Sequence, residues 1–272
     1  MDKTLFLFVP ATRLDWVSKA KQSKANAIII DLEDAVADDQ KNHARTALMA
    51  LDAKGECGYW LRINAVHSMH HLDDITCMLK LNLNHLLGVV LPKCQNKHQV
   101  ESVYHHIHKP VIAMIETAVG LANIAGIAQA DGLWAMSFGR LDLMYELGVQ
   151  PDSPASQLIF DKIRTDLLIH SVANGLHPPI ETIFNDFEDE TGLAACVRHW
   201  CDFGFAGQMM IHPKQIAVAD GVLTAQAEQM AFAHTICQKY QKTGETVFAI
   251  DGKMVDLPLI NWAKNLIKVA KN

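Results

Sequence analysis

The sequence has no surplus of positive charge: 24 Lys and Arg stand against 30 Asp and Glu, the formal net charge is -6, and the basic residues are scattered. Such a chain offers no basic footprint to nucleic acid or to an anionic membrane surface. No nucleic acid and no membrane partner is expected, and a small molecule is. Long hydrophobic runs are missing too, since none approaches the roughly 18 residues of a membrane span. The N-terminus lacks a basic segment followed by an apolar stretch and a small-residue cleavage site. Both absences predict a cytoplasmic protein. The six cysteines, Cys57, Cys77, Cys94, Cys196, Cys201 and Cys237, form no C-x-x-C pair and are too sparse for a disulfide framework, so they read as reduced thiols. Phosphate loops of the G-x-x-x-x-G-K-[ST] or G-x-G-x-x-G type are absent, which argues against nucleotide chemistry.

What is present is a core-forming composition, 50% hydrophobic and 20% charged over 272 residues, enough for one large globular unit. Short apolar runs alternate with stretches of helical periodicity, the mark of strand-helix units around a parallel sheet. The runs are Thr4 to Val9, Ala27 to Asp31, Tyr59 to Ile63, Leu87 to Leu91, Val111 to Ile115, Leu133 to Phe138, a weaker one near His177 to Glu181, and Gly207 to Ile211. Helical spacing marks Arg13 to Ser23, Asp38 to Leu51, Met69 to Leu81, Lys97 to His106, Thr117 to Ala128, Ala155 to Ala173, Thr191 to Asp202 and Pro213 to Lys239. Continuous apolar strands suit a sheet covered on both faces. Eight units at this length match an α/β fold of the (β/α)8 TIM barrel type, typically ~250 residues. An open doubly wound sheet is the alternative. Beyond residue 242 the pattern changes: a strand-like start at Phe248, an Asp251-Gly252 turn and a last amphipathic helix opened by Leu257-Pro258 form a C-terminal extension.

In a parallel barrel the chemistry sits where strands hand over to helices. Asp31, Glu33 and Asp34 follow the second run, Arg62 and Asn64 end the third, Lys93 follows the fourth, Glu116 the fifth, and Asp142 lies just past the sixth. Glu116 and Asp142 stand on neighbouring strands, about 5 Å apart in a sheet, and can converge on one hard cation. Two carboxylates with waters and substrate oxygens are what Mg2+ accepts, and Asp31, Glu33 and Asp34 could orient its waters. The competing reading makes each carboxylate a helix cap. Arg62, inside an apolar strand, must meet a carboxylate; that partner is either Asp31 or Glu33, or a substrate. Asp38 and Asp39 read as caps, Asp73 and Asp74 as a solvated face. The histidines His67, His70, His71, His105, His106 and His108 read as solvated surface rather than metal ligands, with His212 at the active end shaping a lid.

Several segments together resemble the citrate lyase beta subunit family of the HpcH/HpaI superfamily, which includes malyl-CoA and citramalyl-CoA lyases. They are Leu5 to Arg13 (LFLFVPATR), Ala27 to Val36 (AIIIDLEDAV), Leu61 to Asn64 (LRIN), Gly88 to Lys93 (GVVLPK), Ile112 to Thr117 (IAMIET), Phe138 to Leu143 (FGRLDL), Ile211 to Gln215 (IHPKQ) and Asp251 to Asp256 (DGKMVD). Each is weak alone; in this order across nearly the whole chain they are specific. The resemblance implies a TIM-barrel catalytic domain over 1–242 and a lid segment over 243–272 that packs on a neighbour in a homotrimer or hexamer. It implies Mg2+ on Glu116 and Asp142, a keto-acid carboxylate on Arg62, CoA or acyl-carrier phosphates near Arg13 and Lys19, and Asp256 acting as acid/base in trans.

The implied activity is Mg2+-dependent carbon-carbon cleavage of a 3-hydroxyacyl thioester, such as citramalyl-CoA, malyl-CoA or a citryl thioester, to acetyl thioester and a keto acid. The metal would act as Lewis acid, and Asp256 would move the enolate's proton. The alternatives are a class II pyruvate aldolase acting on a free hydroxy-keto acid, and a citrate lyase subunit active only with an acyl carrier protein; a non-catalytic subunit on the same barrel is a third. One position departs from the pattern: relatives often carry Glu before the metal Asp, where this chain has Leu141.

Overall fold

The computed structural model describes residues 3–52, 58–82 and 84–271; Cys57 lies outside the described residues. In chain order the strands and helices are β1 (Thr4–Pro10), α1 (Val17–Gln22), β2 (Ala27–Asp31), α2 (Lys41–Asp52), β3 (Tyr59–Arg62), α3 (His71–Met78), β4 (Leu86–Leu91), α4 (Lys97–Ile107) and β5 (Val111–Ile115). They continue with α5 (Ala118–Ala122), α6 (Ile124–Ile127), β6 (Leu133–Phe138), α7 (Arg140–Leu147), α8 (Pro154–Ala173), β7 (Ile180–Glu181), α9 (Glu190–Asp202), β8 (Gly207–Met210) and α10 (Pro213–Thr243). The hairpin β9 (Phe248–Ile250) and β10 (Lys253–Val255) and the helix α11 (Leu257–Lys271) end the chain.

The first eight strands form one parallel sheet in the order β6-β5-β4-β3-β2-β1-β8-β7. Between its two ends the His177 N–H donates to the Trp134 carbonyl at 2.9 Å, so the sheet curls to near closure as a barrel. The expected (β/α)8 architecture is the observed one. Alternate strand positions fill the barrel: Phe6, Ile29, Trp60, Val90, Ile112, Ala135, Ile180 and Met209 pack in one cluster. Their neighbours Leu5, Leu7 and Val9 are buried as well, as strands covered on both faces require. At the N-terminal end of the barrel Trp60 lies 5.1 Å from Trp134, which stacks on His177 at 4.1 Å. Trp60 passes over Gly88, where a Cβ would fall 2.2 Å from the ring; only glycine admits that approach.

Helix ends follow local rules. Asn96, Thr117, Ser153 and Asp189 cap α4, α5, α8 and α9 by accepting amide protons. The expected helix over Thr117 to Ala128 breaks at Asn123 into α5 and α6. The short α7, about two turns long and not anticipated from periodicity, ends at Gly148 in the left-handed region (φ 64). The second compact unit, Asp220–Asn272, has its own core: Ala233 and Ile236 of α10 pack with Phe248, Ile250, Val255, Ile260 and Ala263. No helix among the described residues is long and apolar enough to cross a membrane.

Asp74 and His71 correct the expectation of a solvated face. Asp74 is fully buried: it holds Arg45 Nη1 at 2.7 Å and accepts from the Asn64 N–H and Nδ2, each at 2.7 Å. His71 Nδ1 meets the Asn64 carbonyl at 2.9 Å. Charge alone suggested solvent, but Asn64 leaves the sheet at the end of β3 with polar groups that need partners away from water. Asp73 is exposed as expected. The test is a pair of urea unfolding curves. Asp74→Ala leaves the buried Arg45 Nη1 without its carboxylate, while Nη2 keeps Asn42 and Asp73, and is expected to cost about 3 kcal/mol, whereas Asp73→Ala, at an exposed partner, changes stability by less than about 1 kcal/mol.

Candidate active site

The C-terminal rim of the barrel gathers the residues singled out in the sequence. Asp31 and Arg62 are register partners on β2 and β3, so their side chains share a face. Arg62 donates from Nε to Asp31 Oδ1 at 2.7 Å and from Nη2 to Oδ2 at 2.6 Å, a bidentate fork of the strong kind. Asp31 also accepts the amides of Glu33 (2.8 Å) and Ala35 (3.2 Å), which curls the chain into a tight turn. Beneath that turn the buried Lys41 donates to the carbonyls of Leu32 and Glu33, both at 2.8 Å. Of the two partners offered for Arg62 within the protein, the structure shows both, since Nη1 lies 3.2 Å from Glu33 Oε2. That contact has the distance of an ion pair without the alignment of a hydrogen bond, so Oε2 is buried and unbonded.

Lys93 ties this group to the next strand. Its Nζ bonds Glu33 Oε1 and lies 3.3 Å from Asp34, while its own N–H donates 2.8 Å to Glu116 Oε2. The residue takes a left-handed φ of 50° to do both, a conformation that non-glycine residues adopt at a cost. Glu116 does not cap α5: that role falls to Thr117, whose Oγ1 accepts from the Gly120 N–H at 3.0 Å. Instead the Glu116 carboxylate lies under Gly139, where a Cβ would fall 2.4 Å from Oε1. Asp142 occupies the first turn of α7, so the dipole reading of its position stands beside the metal one.

Burial pushes the Glu116 carboxyl up to about 7, helped by the negative charges of Glu33 and Asp142 and opposed by Arg62 and the Lys93 amide. Glu33 is raised by burial as well, against the pull of Arg62. Arg62, though burial works against its charge, is held protonated by Asp31 and Glu33. The donor set fits a small hard divalent ion: a desolvated carboxylate that needs a cation, a second carboxylate beside it, and a glycine that leaves room. No group of three or more His, Cys, Asp or Glu among the described residues is placed to hold a metal. Mg2+ does not need one, because one or two carboxylates plus waters and substrate oxygens complete its shell.

Glu116, Asp142, Asp31, Asp34 and Arg62 line one cavity of about 420 Å³ with Phe8, Pro10, Trp16, Met114, Gly139, Arg140, Leu141, Thr182, Ile183 and Ile211. A smaller hollow of about 230 Å³ shares Phe8, Trp16 and Ile211 with it and reaches Lys19, His212 and Lys214. Arg13 is exposed, stacked on Trp16 at 3.9 Å and paired with Asp15. Asp256 belongs to the second unit, where its Oδ1 accepts from the Leu259 N–H at the start of α11. Sequence reasoning missed Lys41 and Gly139 and placed Lys93 at a strand end without a role. The left-handed backbone that gives Lys93 its role has no signature in a lysine.

A parallel barrel with carboxylates and a clamped arginine gathered at its C-terminal rim has the layout of an enzyme's active site. The chain belongs to the HpcH/HpaI aldolase/citrate lyase family, whose model matches residues 4–213. It is a carbon-carbon lyase. A (3S)-malyl-CoA thioesterase from Cereibacter sphaeroides is 33% identical over 96% of this chain and 93% of its own. The mitochondrial citramalyl-CoA lyase of Rattus norvegicus is 27% identical over 97% of this chain and 85% of its own. Among solved structures, the CitE protein of Mycobacterium tuberculosis in complex with magnesium, acetoacetate and coenzyme A superposes with a TM-score of 0.77 at 30% identity, covering 100% of this chain and 99% of that one.

Glu116 makes stability depend on pH in a stated direction. Its folded-state pKa, about 7, lies above the ordinary 4.5. Its contribution is therefore fully present below about 4.5 and is lost as pH rises through about 7. In chelator, Glu116→Gln is expected to remove this loss, on the order of 3 kcal/mol between pH 5 and 8. Chemical unfolding at the two pH values checks it. Added Mg2+ should stabilise the native chain more at pH 8 than at pH 6, and the Gln variant little at either.

Proposed function

We propose that this lyase cleaves a 3-hydroxyacyl-CoA thioester to acetyl-CoA and a 2-keto acid, with Mg2+ held by Glu116 and Asp142. The observation that carries the reading is the meeting, in one cavity, of the buried Glu116, Asp142 and Arg62. When bound, the ion supplies Lewis acidity at the hydroxyl that becomes the ketone. Arg62 orients the substrate's carboxylate. A guanidinium carries five N–H groups; the Asp31 fork uses two, and the Nη1/Nη2 end remains for one incoming carboxylate. Asp31 and Glu33 hold that end in place. The bond between the hydroxyl carbon and the thioester's α-carbon breaks, the hydroxyl gives its proton to solvent as its oxygen becomes the carbonyl oxygen, and the bond's electron pair forms the enolate of the acetyl thioester. A proton delivered to that α-carbon completes the balance.

Asp256 is the proposed proton donor, brought by a neighbouring copy of the chain in a trimer or hexamer, with 243–272 as the segment that carries it. The hollow that leads from Trp16 and Ile211 to Lys19, His212 and Lys214 suits the slender arm of a CoA thioester, with its phosphates at the far end from the acyl group. Lys19 and the neighbouring Arg13 supply the counter-charge. This favours CoA over a free hydroxy-keto acid, which needs no such channel. A cytoplasmic setting accords with the cysteines among the described residues, all free thiols.

Purified chain with citramalyl-CoA or malyl-CoA and Mg2+ is expected to release keto acid and acetyl-CoA, and excess chelator to abolish it. Glu116→Gln and Asp142→Asn should each lower kcat by at least about 10³, the scale of losing electrostatic stabilisation of the transition state. Release of free CoA and an intact hydroxy acid would instead assign the chain the thioesterase chemistry named for its Cereibacter relative. Full turnover by Asp256→Asn would make the tail structural.

A further inference from the structure

Thr182, the residue after β7, carries a hydroxyl that bonds nothing among the described residues and yet is not sealed from solvent. The residue is 4% exposed and lines the cavity that holds Glu116, Asp142 and Arg62. Ile180 packs inside the barrel and Glu181 meets Arg164 of α8 outside it, so strand alternation aims Thr182 inward again, at the barrel mouth. The backbone beneath it is fixed. Arg164 forks onto Glu181, Nε to Oε2 at 2.9 Å and Nη2 to Oε1 at 2.8 Å. The Thr182 carbonyl accepts from Gln208 Nε2 at 3.2 Å, and Gln208 Oε1 in turn accepts from the Trp200 indole at 2.9 Å. Glu181, Gln208 and Trp200 are fully buried. A clamped donor with nothing of its own to donate to is a preorganised contact for a ligand.

The order of strands around the rim says which ligand atom the hydroxyl meets. Glu116 follows β5 and Asp142 follows β6; β7, which the His177 amide ties to β6, brings Thr182; β8 and β1 bring Ile211 and Phe8, where the hollow toward Lys19 begins. Thr182 therefore stands between the candidate metal pair and the arm of the thioester. The bond that breaks joins the hydroxyl carbon, at the metal, to the carbon beside the thioester carbonyl, so that carbonyl belongs to the same stretch of rim. The substrate's other oxygens have their partners, the carboxylate on Arg62 and the hydroxyl on the metal. We infer that Thr182 donates its hydroxyl hydrogen to the thioester carbonyl oxygen and stabilises the enolate oxygen that forms there, as a further catalytic residue. The inference rests on the lyase reading above and deepens it. Thr182 gives up no proton: charge moves from the breaking bond onto the carbonyl oxygen, the hydrogen bond strengthens as it does, and the proton that ends the reaction goes to carbon. An interaction stronger in the transition state than in the bound substrate is the kind that raises kcat.

The test pairs a missing hydroxyl with a missing oxygen. Thr182→Val keeps the shape and removes the donor, Thr182→Ser keeps the donor, and thermal melts check that both fold. Acetyl-CoA is compared with S-ethyl-CoA, which lacks the carbonyl oxygen, by calorimetry on the Mg2+-loaded full chain, and turnover of citramalyl-CoA and malyl-CoA is measured in parallel. The native chain and the serine variant are expected to favour acetyl-CoA roughly three- to tenfold, the scale of one neutral hydrogen bond, and the valine variant to lose that preference. In the valine variant kcat should fall about 100-fold while KM moves less than about tenfold, and serine should restore most of the loss. Arg140 also lines the cavity, its guanidinium 5.0 Å from the Phe160 ring centroid, and Arg140→Gln should keep the preference. A preference that survives in Thr182→Val, or that vanishes only in Arg140→Gln, overturns the inference. The two readings separate cleanly. A preference lost with the hydroxyl, without cleavage of any thioester by the native chain, upholds the contact and sinks the lyase chemistry. Cleavage by the native chain, matched at full rate by the folded valine variant, does the opposite.

Discussion

Four carboxylates, Asp31, Glu33, Glu116 and Asp142, crowd one rim of the barrel against two cations, Arg62 and Lys93, and the geometry around them is a set of answers to that imbalance. Two like charges about 5 Å apart at an effective dielectric near 20 repel by about 3 kcal/mol, and burial adds to it. Asp31 is relieved by four N–H donors, two of them from Arg62. Glu33 leans on Lys93 and Arg62. Glu116 has one backbone amide and, among the described residues, no ion pair, so burial, with Glu33 and Asp142 adding to it, drives its carboxyl up to about 7. A divalent ion there removes a repulsion that protein groups alone leave in place.

The backbone is bent to keep that arrangement rigid. Lys93, at φ 50°, turns its amide to Glu116 and its side chain back to Glu33, so one residue couples the carboxylate of one strand end to the arginine clamp of another. The left-handed turn costs about 1 kcal/mol or more, and the two bonds it makes offset it. Gly139 contributes by absence. Any side chain at that position would collide with Glu116 Oε1, so the glycine between β6 and α7 is set by the carboxylate it covers rather than by its own backbone, which is extended (φ -102°). Lys41, donating to the carbonyls of Leu32 and Glu33 from below, fixes the turn that carries the acidic residues.

The barrel was legible in the sequence because a strand buried on both faces is written as an unbroken apolar run, and seven such runs set the frame. The remaining one, β7, is only two residues long, too short for periodicity, and showed only as the weaker run near His177 to Glu181. The short α7 escaped for the same reason. At the site, strand-end position pointed to Asp31, Arg62, Glu116 and Asp142, and the structure brings all four to one cavity. Position could not choose between capping and coordination for Glu116. The choice turns on Thr117, whose hydroxyl takes the cap and leaves the glutamate to face Lys93 and Gly139. Asp74 was misread because burial of a charge is decided by its partners, and Arg45 and Asn64 are 29 and 10 residues away.

A metal pair on a barrel rim is common to chemistries that differ in what they break, so the walls must do the distinguishing. Before Asp142, the candidate metal ligand, this chain has Leu141. A glutamate there would add a further negative charge to a cavity that already holds four carboxylates, and it would give a bound water an acceptor. Leucine does neither. It adds no repulsion toward an incoming anion, and it joins Met114, Ile183 and Ile211 in the apolar part of the cavity's lining.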